Sequence, residues 1–187
     1  DTLPLSPEVI VKRCVEMART AESASDPHDK PIYVIGTEVP VPGGVTEDEA
    51  ITVTTPGDVR VTLAAFRSAF VDGGLEAAWE RVTALVIQPG VEFGDAHVHD
   101  YSPSKELAST IEGFPGLVYE AHSTDYQSAE SLDAMVRNHY FVLKVGPWLT
   151  FALREGLFAL EMMEKELSPA QSSNFRQTLL NTMRRDP

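Results

Sequence analysis

Four short apolar segments in this chain each end on side chains able to do chemistry. Ile32 to Ile35 runs into Gly36-Thr37-Glu38, and Val82 to Ile87 runs into Gln88-Pro89-Gly90-Val91-Glu92, with Asp95 and His97 close behind. Leu117 to Ala121 carries Glu120 and delivers His122, Ser123, Thr124 and Asp125, while Tyr140 to Leu143 ends on Lys144-Val145-Gly146-Pro147. Carboxylate with imidazole is a donor set for Zn²⁺ or a similar divalent ion, which can polarise a sugar carbonyl. Glu38, Glu92 and His122 come from three different segment ends and are the candidate ligands. The plainer alternative has Glu38 and His122 hydrogen-bonding neighbouring loops at the edge of a sheet. The lysine, glycine and proline of the last segment suit a different partner. Free backbone N–H groups at a helix start, together with an ammonium group, favour a phosphate, and Ser123 and Thr124 would donate to the same anion. An ordinary turn with a solvated lysine fits these residues too. His97 and His99 precede a polar helix start and read as loop positions. His28 lies in a turn, and His139 at a helix end suits the dipole.

The elements that must position these groups follow from periodicity and punctuation. Ser6-Pro7 opens a helix with Ser at the N-cap and Pro at the first helical position. Ile10, Cys14, Met17 and Ala21 recur on one face of it. A polar turn over residues 23–31 leads to the first strand, and the proline-rich run Val39 to Gly44 must be a loop. Thr55-Pro56 caps a helix with Val59, Leu63, Phe66 and Phe70 on one side, ended by Gly73-Gly74, and residues 75–81 form a short helical segment before the second strand. Ser102-Pro103 opens a helix to about Glu112, and another helix starts at Ser128 with Leu132, Met135, Val136 and His139 aligned. After the fourth strand a long helix carries Leu149, Leu153, Leu157 and Leu160, a stripe expected to pack in a core, and a last helix is expected from Ser168-Pro169. Short strands apolar on both faces, alternating with helices, predict an α/β fold with a parallel sheet. The pattern fits a doubly wound sheet or half of an eight-stranded barrel equally well.

Bulk properties exclude several classes. With 15 basic and 28 acidic residues the net charge is −13, so the chain has no broad affinity for nucleic acid or an anionic membrane surface. At 187 residues and 43% hydrophobic content it can bury a core as one domain or part of one. The single Cys14 excludes an intramolecular disulfide and fits a reducing cytoplasm. No apolar run is long enough to span a membrane, and no signal peptide is expected. A phosphate-binding Gly-x-x-x-x-Gly-Lys-Ser/Thr loop and a Gly-x-Ser-x-Gly elbow are both missing, and Cys14 lies on a helical face unsuited to a nucleophile. The chain opens at Asp1 and stops at Arg184-Arg185-Asp186-Pro187, which reads as an excised piece of something longer.

Four longer motifs occur in order: Gly36-Thr-Glu-Val-Pro-Val-Pro-Gly-Gly44, Gln88-Pro-Gly-Val-Glu-Phe93, Tyr119-Glu-Ala-His-Ser-Thr-Asp-Tyr-Gln127, and Leu143-Lys-Val-Gly-Pro147 with Thr150-Phe-Ala-Leu-Arg-Glu155. From Asp1 to about Leu167 the chain resembles the GatZ/KbaZ-like family, the non-catalytic subunit of class II D-tagatose-1,6-bisphosphate aldolase, whose members have also been labelled tagatose-6-phosphate kinase. The resemblance implies a (β/α)8 TIM barrel of which residues 1–187 are roughly the second half, strands 5–8. The N-terminal strands, with an Asp-His-Leu-Gly-Pro motif, and a C-terminal helical tail would then lie outside the chain. By analogy with class II aldolases it implies a divalent metal, with zinc first in line, on Glu38 and His122. The same analogy gives catalytic roles to Glu38 and Asp125, and substrate contacts to Gln88, Glu92, Ser123, Lys144 and Gly146. Two departures stand out: Phe66 occupies a position where a histidine is expected, and Trp148 replaces a small residue beside the phosphate turn.

The function implied is support of a catalytic class II aldolase subunit acting on a phosphorylated ketose in the cytoplasm, within an oligomer. The alternative is an autonomous metal-dependent ketose or ketose-phosphate epimerase or aldolase. Polar groups at all four strand ends favour a live site, because a pure scaffold does not need them. A sugar-phosphate kinase has no nucleotide motif behind it. Half a barrel would leave open sheet edges, so residues 1–187 alone are expected to be inactive and prone to associate.

Overall fold

The computed structural model describes residues 5–37, 53–89 and 102–185. The chain forms two units, Asp1–Lys144 and Val145–Pro187. In the first, α1 (Pro7–Ala24), β1 (Tyr33–Ile35), α2 (Pro56–Asp72), α3 (Glu76–Trp79), β2 (Val82–Ile87), α4 (Ser102–Ile111), β3 (Val118–Ala121), α5 (Ala129–Arg137) and β4 (Tyr140–Leu143) follow in order. All three strand pairings are parallel, and the sheet order is β1-β2-β3-β4. A doubly wound sheet reverses its order at a switch point, whereas a barrel lays each strand beside the one before it. The described strands never reverse, so the sheet is consistent with half of a (β/α)8 barrel.

One face of the sheet is buried under helices. Tyr33 and Ile35 of β1, Leu85 and Ile87 of β2, Tyr119 and Ala121 of β3, and Tyr140 of β4 share a core with α1, α2, α4 and α5. The expected stripe of α2 is fully realised: Val59, Leu63, Phe66 and Phe70 are between 0% and 3% exposed. Phe70 meets Tyr33 and Trp79 edge to face, with ring centroids 6.3 and 5.9 Å apart. The start of α2 is a complete capping box, in which the Thr55 hydroxyl accepts from the Asp58 amide and the Asp58 carboxylate accepts from the Thr55 amide. Gly73 and the left-handed Gly74 (φ 71°) end it.

Other expectations are corrected. In α1 the buried residues are Val11, Val15 and Ala18; Ile10 and Cys14 only flank the core, and Met17 is 71% exposed. Apolar residues at 10, 11, 14, 15, 17 and 18 cover two adjacent helical faces, and only packing against α2 selects between them. Ser6 is the N-cap residue but makes no side-chain cap bond. In α5, Met135 and Ser131 are buried while Val136 faces out, and His139 lies past the helix in a left-handed conformation (φ 69°).

The N-terminal edge of the sheet is pinned by a polar network. Glu22 near the end of α1 accepts from the Tyr33 hydroxyl at 2.5 Å and from Arg81 at 2.8 Å, and Lys30 lies 3.6 Å from its second oxygen. Arg81 also donates to the Pro31 carbonyl. The Tyr33 hydrogen bond, aided by Arg81 and Lys30 and opposed by burial, holds the Glu22 carboxyl below the usual range. A depressed folded-state value stabilises the fold above the ordinary glutamate range, about pH 4.3, and the contribution is lost as pH falls through the folded value. Urea unfolding of the parent and a Glu22→Gln variant should therefore differ at neutral pH and converge as acid protonates the folded-state carboxylate; a gap of the same size in acid would show that the carboxylate charge contributes nothing.

In the second unit, α6 (Pro147–Leu167), a 3₁₀ turn (Pro169–Gln171) and α7 (Phe175–Arg185) follow one another. Ser168-Pro169 thus opens the turn, and the last helix begins only at Phe175. The leucine stripe of α6 is not core: Leu149, Leu153 and Leu160 are 60–65% exposed and Leu157 is 37% exposed. Instead α7 takes a different face of α6. Phe158 meets Phe175 edge to face, Arg176 lies over the Phe158 ring, and Glu161 accepts from the Arg176 amide.

Candidate functional site

Side chains alternate between faces along a strand. Tyr119 and Ala121 of β3 point to the helices, so Glu120 belongs to the other face of the sheet, and continuing the alternation places His122 beside it. In β4 an irregularity in the pairing sets Val142 opposite Glu120 and brings Lys144 onto the same face. On β2 the register pairs Val86 with Glu120, and Gln88 continues that row past the strand end. Sheet geometry thus gathers Gln88, Glu120, His122 and Lys144 at the C-terminal edge, the functional end of βα folds. β1 approaches the row closely at Gly36, where a Cβ would lie 2.8 Å from the Val86 Cβ, so only glycine fits without displacing a strand.

The centre of the cluster is Glu120. It is 6% exposed, its Oε1 lies 2.8 Å from His122 Nε2, and the same oxygen lies 3.7 Å from Lys144 Nζ. The imidazole is 23% exposed and the lysine side chain 57% exposed, so both can meet a ligand while the carboxylate stays inside. The sequence alone names Glu120 among the polar groups of its segment but gives it no role. The signal for one is its placement two residues before His122, which puts both on one strand face.

The loop after β3 is strained and tightly tied. Ser123 (φ 56°) and Tyr126 (φ 65°) both adopt the left-handed conformation, uncommon outside glycine and concentrated at functional sites. The Thr124 amide and hydroxyl both donate to the Lys144 carbonyl, at 3.1 and 2.9 Å, and the Lys144 amide donates to the Ala121 carbonyl at 2.9 Å. Ser123 is 2% exposed, and its hydroxyl has no hydrogen-bond partner among the described residues. A buried hydroxyl left unpaired costs free energy, so a strained loop that holds one there is suited to a ligand able to pair with it. Asp125 is 1% exposed, a placement that suits holding the loop. The Gln88 amide donates to the Thr54 hydroxyl at 2.9 Å, and the Gln88 carbonyl accepts from the Thr54 amide at 3.0 Å.

The other residues singled out by type and spacing fall elsewhere. Glu38, Glu92, Asp95, His97 and His99 lie outside the described residues. Gly146 belongs to the second unit as the N-cap of α6, and no described atom comes within 4 Å of where its Cβ would be. Phe66, expected as a histidine, is 0% exposed in the core. Trp148 stacks on Phe151 with centroids 5.8 Å apart. Burial pushes the Cys14 thiol up, the wrong direction for a nucleophile. His139 pairs with Glu112 at 3.0 Å at the N-terminal end of β4, and His28 is exposed in its turn. A groove of about 630 Å³ lined by Arg60, Arg67, Trp79 and Phe114 lies at the same N-terminal edge and holds none of the candidates. Among the described residues no three His, Cys, Asp or Glu side chains converge to hold a metal ion. Among the described residues His122 supplies one imidazole, a donor that fits zinc but is incomplete without ligands from elsewhere, since the Glu120 carboxylate is engaged by His122 Nε2. No described helix is long and apolar enough to cross a membrane.

Comparison with known proteins adds two findings. A family model described as D-tagatose-1,6-bisphosphate aldolase subunit GatZ/KbaZ-like matches residues 1–187. A crystal structure of a probable tagatose 6-phosphate kinase from Sinorhizobium meliloti 1021 is 35% identical and superposes with a TM-score of 0.83, over 98% of this chain and 44% of that one. The chain therefore spans less than half the length of the solved protein it matches.

Proposed function

The chain belongs to the GatZ/KbaZ-like family, and from that premise we propose that the protein is a subunit of a D-tagatose-1,6-bisphosphate aldolase whose own strand edge binds a phosphorylated ketose. The observation that carries the reading is the cluster of Glu120, His122 and Lys144 next to Ser123, whose buried hydroxyl has no partner among the described residues. In this reading residues 1–187 supply strands 5–8 of a closed barrel, and the protein works in the cytoplasm beside a catalytic class II aldolase subunit. Lys144 supplies positive charge to the phosphate and Ser123 donates a hydrogen bond to it. Gln88 and Glu92 are proposed to contact the sugar hydroxyls. Proton transfer is proposed for Glu38 and for Asp125, which is buried in the loop beside Ser123 and Thr124.

A divalent ion on Glu38 and His122 is part of the same proposal. Such an ion, zinc by its imidazole and carboxylate donors, polarises a sugar carbonyl when bound. A second reading, an autonomous ketose or ketose-phosphate epimerase or aldolase, is favoured by the pairing of a buried Glu120 with a partly exposed His122, which a mere scaffold does not need.

Metal analysis of the full-length protein and assays with ketohexoses and their phosphates, with and without a catalytic aldolase subunit, separate the two. Cleavage of tagatose 1,6-bisphosphate that appears only with the partner supports the subunit reading. Turnover by the protein alone supports the second. Glu38→Ala and His122→Ala should each abolish metal binding, and full occupancy in both would refute the ligand assignment.

A further inference from the structure

We infer that Glu120 is a positioning residue that fixes the tautomer of His122, so that Nδ1 is the ring nitrogen the site offers to its ligand. This rests on the reading of the C-terminal edge as the functional site, and it assigns a role to a residue that reading leaves idle. An ionised carboxylate only accepts hydrogen bonds, and a neutral imidazole carries its hydrogen on one nitrogen alone. With Glu120 Oε1 at 2.8 Å from His122 Nε2, the hydrogen sits on Nε2 and the lone pair is on Nδ1. Nδ1 has no hydrogen-bond partner among the described residues.

Two further observations make the arrangement rigid. Glu120 lies within the strand, backed by the β2 and β4 pairings, and it is nearly inaccessible. Lys144 Nζ, 3.7 Å from the same oxygen, balances the charge that burial would otherwise leave isolated. Residues that orient a histidine in this way are a general feature of sites where imidazole binds an ion or moves a proton. For this chain it means that His122 meets a metal or a substrate proton through Nδ1, with Glu120 behind it and never in contact with the substrate.

The test is a long-range ¹H–¹⁵N correlation spectrum of the full-length protein labelled with ¹⁵N-histidine, recorded at about pH 8.5, where imidazoles are neutral. The His122 signals are identified by their loss in a His122→Gln variant. The expected parent pattern is Nε2 protonated and Nδ1 bare. Glu120→Gln, whose amide oxygen still accepts, should keep that pattern, whereas Glu120→Ala should give a mixture of tautomers with the other histidine signals unchanged. If Glu120→Ala does not fold, Glu120→Met keeps the volume without the acceptor and should give the same mixture. A parent Nδ1–H tautomer, or a pattern unchanged in Glu120→Ala or Glu120→Met, overturns the inference. The readout needs no substrate. A correct tautomer in a protein that binds no ketose phosphate would sink the functional reading and leave the positioning role standing.

Discussion

Replacing Lys144 by Ala is expected to weaken binding of D-tagatose 1,6-bisphosphate to the full-length protein roughly tenfold to a hundredfold. A hydrogen bond to a charged group is worth about 1.5–3 kcal/mol, and each 1.4 kcal/mol is a factor of about ten in affinity. The Lys144 side chain is 57% exposed and, among the described residues, its ammonium pairs with Glu120 at 3.7 Å, so its removal disturbs little packing. The Glu120 carboxylate at the other end is only 8% exposed and keeps His122 as a partner at 2.8 Å, so stability of the free variant is measured beside its affinity. What is lost is a positive charge at the edge where the phosphate is proposed to sit, and the deficit should shrink as salt rises. Lys144→Arg keeps the charge and should bind better than Lys144→Ala. Titration calorimetry on the three proteins checks this, and equal affinities would move the phosphate away from β4.

The second large effect lies in the core. Phe66→Ala should lower the unfolding free energy by about 3–5 kcal/mol, through the transfer energy of the ring and the cavity left behind. In a chain of this size that corresponds to a fall in Tm of about 6–20 °C. Phe66 is 0% exposed, flanked along α2 by Leu63 at 3% and Phe70 at 1%, and shares its cluster with α1, α4 and the strands. No small side-chain movement can fill the gap in so close-packed an interior. Phe66→His, the residue the family resemblance leads one to expect, should also destabilise, because it buries a polar ring within an apolar cluster. Denaturant or thermal unfolding measures both. Parent-like stability in Phe66→His would mean that a hydrogen-bond partner is available there after all.

What the sequence reveals depends on how local the cause is. The four strands, the Thr55 capping box and the Phe66 stripe are written in neighbouring residues, and all appear in the structure. The choice between a doubly wound sheet and a barrel segment is not local, and the unreversed order of the described strands is what is consistent with the barrel segment. The buried face of α1 and the exposed leucines of α6 escape the sequence for the same reason. Each helix has two apolar stripes, and only the neighbouring helix selects one. At the candidate site, His122, Ser123 and Lys144 are singled out by type and position, and His122 and Lys144 both approach Glu120. Glu120 is hidden because a glutamate inside a strand is ordinary until the register sets Val142 and Lys144 beside it. The left-handed backbone at Ser123 leaves no mark in the residue type, since serine has no special liking for that conformation.

Ser123 offers the sharpest test of whether this edge is a ligand site. Its hydroxyl is buried and unpaired among the described residues. Removing it from the free protein should therefore cost no stability and can gain some, by relieving an unsatisfied polar atom. The same change should weaken binding of the bisphosphate by about tenfold, the value of one charge-assisted hydrogen bond. The decisive measurement is calorimetric titration of D-tagatose 1,6-bisphosphate into full-length parent and Ser123→Ala proteins, with thermal unfolding of both in the absence of ligand. Saturable binding by the parent, weakened in a variant at least as stable, is the expected result. No binding by the parent, or a destabilised variant that binds as well as the parent, would show that the hydroxyl serves the fold and that the ketose-phosphate site is not here.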